Sequence, residues 1–122
     1  MPKKTNKVSV QGDSYRFEID IYVFQDGKDY ISYCPSLDIC SAGTDYIDAL
    51  ENFYEALGLY VDYWAEHHTL EKDLQEHGWK IGTRTMTPPP LAVLAGKPMF
   101  NELISSNRSF ERMVAPVHIA AR

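Results

Sequence analysis

The stretch from Gly43 to His67 constrains this chain more than any other. Ile47, Leu50, Tyr54, Leu57, Val61 and Trp64 recur at three- and four-residue steps, the spacing of a helix that buries one face. Gly43 permits a turn just before it. Asp45 is placed to cap the first turn, and Asp48 adds negative charge where the helix dipole favours it. At about 100° per residue, Asp48, Glu51, Asn52, Glu55, Asp62 and Glu66 fill an arc of only about 100°. Phe53 and Tyr60 widen the apolar side beyond what one small sheet covers, and Leu59 falls inside the acidic arc. A helix from Tyr46 to about His67 therefore needs more to pack on than the strands that precede it.

Those strands are legible from alternation. Tyr15, Phe17, Ile19, Ile21 and Val23 fall on one face while Arg16, Glu18 and Asp20 fall on the other, which indicates a half-buried antiparallel strand. Gly12-Asp13 is a turn signal before it, and Gln25-Asp26-Gly27-Lys28 carries the Asp-Gly hairpin signal after it. Asp29 to Tyr33 reads as the return strand, ended by Pro35, and a third strand is expected over Leu37 to Ala42. The outer face of the first strand ends in Tyr22 and Phe24. Two large aromatics on a nominally wet face indicate either a contact surface or cover by the C-terminal strand.

Beyond the helix, Thr69 is expected to cap a second one, Leu70 to Glu76, with Gly78 at its C-terminal side. Trp79 and Ile81 return to the core. GTRTMTPPP, residues 82–90, is an extended connector. Pro98 to Ser106 suits one or two helical turns, and Phe110 to Ile119 a terminal strand that Pro116 places at an edge or bulge. The expected organisation is a flexible N-terminus (1–11), an α/β core (12–81), and a proline-rich connector and arm (82–122). The fold class is α+β: a three-stranded antiparallel sheet, one long helix packed across it, and a C-terminal arm ending in a strand. Such an arm can reach a second subunit, so a homodimer or higher homo-oligomer is expected.

A chain of 122 residues suits one domain with a core that needs no staples. No apolar run approaches the roughly 18 residues of a spanning helix, and the basic N-terminus lacks the apolar segment of a secretory signal. A cytoplasmic protein without membrane attachment is expected. The net charge of −5 hides a division: residues 1–77 hold 15 acidic and 6 basic residues, net −9, and residues 78–122 hold 2 and 6, net +4. An acidic body suits a basic partner better than nucleic acid. The tail leaves DNA or RNA binding undecided.

Few residues invite chemistry. Cys34 and Cys40 read as small buried side chains. His67 and His68 are adjacent and point about 100° apart on a helix, so with His77 and Asp73 they read as a solvated helix end, not a metal site. There is no Gly-x-Ser-x-Gly turn and no phosphate-cradling glycine loop. Glu18 and Asp20 share an outer strand face, but two-metal cleavage needs several carboxylates converging on one point. A non-enzymatic binding protein with no cofactor is expected. Its partner or oligomer contacts are expected at Tyr22, Phe24, Phe53, Leu59, Tyr60 and Tyr63.

The text YISYCPSLDIC, then Gly43, then DALENFYEAL, resembles the HicB-like antitoxin family over roughly Phe17 to Ala65, about half of the chain. The family pattern is a Tyr-containing strand, Pro-x-Leu, a Cys shortly after, a Gly turn and a helix with Glu-Ala repeats. Two departures mark a divergent member: Asp38-Ile39 stands where Pro-Gly is common, and Ile47 where the helix usually carries an acid. The resemblance implies a partial RNase H-like fold without nuclease machinery. It implies the antitoxin role in a HicA/HicB-type type II toxin-antitoxin system, masking a small, basic, RNA-cleaving toxin. Many relatives add a C-terminal DNA-binding segment, whereas after Trp79 this chain offers prolines, a short helical stretch and a strand. The alternative is an orphan homo-oligomeric HicB-like module for interaction or nucleic-acid binding.

Overall fold

The computed structural model describes residues 9–11, 14–82 and 86–120. Most of the N-terminal segment expected to be loose, the Gly12-Asp13 turn and residues 83–85 of the connector lie outside the described residues.

The spine is β2 (Ser14–Asp26), and its alternation does what the sequence requires: Phe17, Ile19, Ile21 and Val23 are buried on one face. A two-residue loop, Gly27-Lys28, joins it to β3 (Asp29–Cys34). Gly27 sits at φ 65°, a conformation only glycine adopts without strain. The next hairpin spends Pro35 to Asp38 on its loop, with Asp38 left-handed at φ 59°, and β4 (Ile39–Gly43) follows. The third strand therefore starts two residues later than expected, although Leu37 is still buried.

The last strand, β7 (Phe110–Ala120), lies antiparallel to β2 from Ser14 opposite Ala120 to Phe24 opposite Phe110. A strand has only two edges. With β7 along one of them, the short β1 (Ser9–Gln11) and β3 share the other, at opposite ends of β2. Among the described residues the sheet thus has five strands: the three expected, the strand of the C-terminal arm, and the short β1. Pro116 falls on β7, opposite Glu18. Its missing N–H is tolerated because β7 is an edge strand.

Helices cover both faces. On the inner face lie α1 (Tyr46–His67) and α2 (Leu70–Glu76), with Leu50, Phe53, Leu57, Trp64, Leu70 and Leu74 meeting the β2 side chains. Trp79, between α2 and β5 (Lys80–Ile81), packs edge-on against Phe17 at 5.4 Å and donates its indole N–H to the Ser36 carbonyl at 2.8 Å. β5 pairs with β6 (Met86–Thr87), whose Met86 completes this core. These additions are the extra cover that the broad apolar side of α1 demanded.

On the outer face, α3 (Leu91–Leu94) and α4 (Pro98–Ser105) bring Leu94, Phe100 and Leu103 onto Tyr22, Phe24 and Tyr33. The Tyr22 ring lies 5.0 Å from Phe100 and 5.6 Å from Phe110. The C-terminal arm therefore adds a third layer and an edge strand to its own sheet.

Two titratable groups are caught inside. Burial pushes the Cys34 thiol up to about 11 from its ordinary 9.0, against weaker opposition from the Ser36 hydroxyl 3.4 Å away. Burial, with Asp38 nearby, pushes the Tyr33 phenol up to about 12. The unfolded chain loses these protons first. The stability they contribute is complete below pH 9.0 and lost as pH rises towards 11. Urea midpoints should be level below pH 9.0 and fall above it, Cys34 alone accounting for up to about 2–3 kcal/mol. A Cys34→Ala variant that keeps the full alkaline slope would remove that explanation.

Candidate protein-interaction surface

The outward side of α1 is built from its first turn. Asp45 caps the helix by accepting the Asp48 backbone N–H at 2.8 Å. Asp48 answers by accepting from the Thr44 backbone N–H at 2.8 Å and its hydroxyl at 3.3 Å. Asn52 donates to the Ala42 carbonyl at 2.7 Å, and the buried Ser32 hydroxyl donates to the Ala49 carbonyl at 2.9 Å. Asp48 and Asn52, expected on the polar arc, thus tie the helix to β4 and to the turn before it.

With rotation fixed in this way, Glu51, Glu55, Asp62 and Glu66 are exposed. Among the described residues, none of these four takes part in an ion pair. Exposed apolar groups lie among and beside them: Leu59 at 70% exposure, Tyr63 at 50%, with Tyr54 and Tyr60. Tyr63 stacks on His67 with ring centroids 4.0 Å apart, and Tyr60 leans on Trp64 at 6.0 Å. Stacking holds these rings before any partner arrives, which lowers the ordering cost of a contact. The arrangement is an amphipathic acidic band.

The expected contact residues divide on this point. Leu59, Tyr60 and Tyr63 lie on the exposed band. Tyr22 and Phe24, each 7% exposed, are covered by α4 and Leu94. Phe53 is 0% exposed in the inner core. Those three leave the contact set because the chain's own layers consume their surface. Tyr54, at the same helical level, was missed; its three- and four-step spacing reads as core, but α1 sits over β3 and β4 with that flank turned away.

The other chemical candidates are tied up structurally. Asp73 accepts from the Trp64 indole N–H at 2.9 Å and the Thr69 hydroxyl at 3.3 Å, while His77 Nδ1 lies 2.8 Å from the Asp73 carbonyl. Asp20 accepts from Arg112 at 3.1 Å across the β2–β7 ladder, while Glu18, two residues away on the same strand, is exposed. Among the described residues no three His, Cys, Asp or Glu side chains gather as a metal site, and no helix is long and apolar enough to cross a membrane. Cys34 is buried and Cys40 exposed, so the two do not share an environment as expected.

Comparison with protein-family models, with curated proteins and with solved structures returns no match.

Proposed function

We propose that this is a non-catalytic, HicB-like antitoxin of a HicA/HicB-type system that masks a small basic RNA-cleaving toxin in the cytoplasm. The observation that carries the reading is the α1 band: Leu59 and Tyr63 exposed beside Glu51, Glu55, Asp62 and Glu66, with no cation paired to those acids among the described residues. Apolar anchors ringed by one sign of charge favour a partner of the opposite sign, which charge steers and apolar burial retains. The hairpin strands β2 to β4 running into α1 are consistent with a partial RNase H-like core, with β7 as the antiparallel closing strand.

Mixing this protein with the small basic protein encoded beside it should give a complex that weakens as salt rises. Failure to bind at low salt rejects the reading, as does a neighbouring frame that is not basic. Reversing Glu55 and Asp62 to Lys should weaken the complex about tenfold and flatten its salt dependence, with the far-UV spectrum unchanged. Equal affinity for that variant would move the interface off α1.

A second reading, an orphan homo-oligomeric HicB-like module, draws on the arm. Leu91, Val93, Met99 and Ile104 are exposed on α3 and α4, and Phe110 and Val114 on β7. Sedimentation as a monomer over a wide concentration range would exclude it.

A further inference from the structure

An open cleft of about 400 Å³ lies where β2 ends and β7 begins. Its volume falls within the roughly 300–1,000 Å³ typical of sites for small groups. Tyr30 and Tyr46 supply aromatic walls on the inner face beside Val23, the face to which Glu111, opposite Val23, also belongs. Glu111 is the sole charged residue in the lining, with Gln25 as a polar neighbour.

The chemistry of this lining selects a cation. Glu111 is exposed and, among the described residues, makes no ion pair. Asp29 and Asp45, also exposed, adjoin Tyr30 and Tyr46 in the chain and add negative potential. One of the rings is held in place: Tyr46 donates its hydroxyl to the Met113 sulfur at 3.8 Å. Aromatic faces beside a carboxylate suit a guanidinium better than an ammonium, because it is planar, weakly hydrated and able to stack.

We propose that this cleft receives an arginine side chain from a protein partner, its guanidinium against Glu111 and its aliphatic stem across Tyr30 and Tyr46. The site is separate from the α1 band and does not depend on the antitoxin reading. It requires only a partner that presents arginine.

The test is an NMR titration of the full chain with Nα-acetyl-arginine amide. Saturable shifts should centre on Tyr30, Tyr46 and Glu111. Nα-acetyl-citrulline amide, the neutral counterpart, should bind about tenfold more weakly. Glu111→Gln should weaken the arginine amide about threefold, and the spectrum of the variant itself reports whether the fold is kept. Free arginine, whose carboxylate meets the acidic rim, should bind no more tightly than the capped amide. Equal binding of citrulline, shifts centred on the acids of α1, an unaffected Glu111→Gln variant, or tighter binding of free arginine would each overturn the assignment.

Discussion

Replacing Phe53 by Ala should lower folding stability by about 3–5 kcal/mol. Phe53 is wholly buried at the centre of the inner core, where α1 meets the sheet, with Leu50 and Leu57 one turn to either side. Truncation removes the transfer energy of a full ring, and the side chains around it are anchored on different elements and cannot collapse into the space. Since domains of this kind are stable by roughly 5–15 kcal/mol, the variant would lose a large share of that margin. Urea denaturation checks it. A loss below about 1 kcal/mol would mean that Phe53 faces a partner after all, as its place on the sequence wheel once suggested.

Gly43→Ala should cost about 3 kcal/mol or more, for a different reason. Gly43 closes β4 opposite Tyr30, and a Cβ there would collide with the backbone of Asp48 and Ala49 in the first turn of α1. Backbone cannot swing aside as a side chain can. To make room, α1 must lift away, straining the Asp45 cap and the Ser32 and Asn52 hydrogen bonds together. Gly58 is the control. It lies within α1 with nothing near its missing Cβ, so Gly58→Ala should stabilise by about 0.5–1 kcal/mol. Thermal melts of the two variants should shift in opposite directions. A shift in the same direction would show that the close approach of β4 to α1 is not rigid.

Both substitutions bear on function through the same element. The α1 band presents its acids and tyrosines in one orientation because Phe53 grips the helix from below and the Gly43 contact sets its height at the N-terminal end. On the proposed antitoxin reading, loss of either should weaken partner binding indirectly, with an unfolding signature that the Glu55 and Asp62 reversals lack.

Much of the architecture was readable because its causes are local. The bounds of α1 follow from Asp45, Asp48 and the three- and four-step apolar spacing, and Tyr46–His67 is as expected, although Ile47 and Tyr54 of that spacing are exposed. The hairpin at Gly27 follows from a turn residue acting within its own loop. The start of β4 was missed because Pro35 to Asp38 forms the loop, and Leu37, an apolar residue, looks like strand whether it sits in a ladder or a buried turn. The contact residues were half legible. An amphipathic wheel showed Leu59 out of place among acids, but it could not distinguish Tyr22 and Phe24 as contacts from Tyr22 and Phe24 as core.

Periodicity, caps and turn residues act across a few positions, so the sequence by itself determined β2, its hairpin and a broadly apolar α1 with an acidic back. Which surfaces close on which was decided only by the tertiary structure. Arg112 reaches Asp20 from 92 positions away, and with it β7 chooses β2, α4 chooses Tyr22, and the cleft around Glu111 comes into being. An apolar stripe states that it must be covered. The path of the rest of the chain supplies the cover, because hydrophobic burial is non-directional and names no partner.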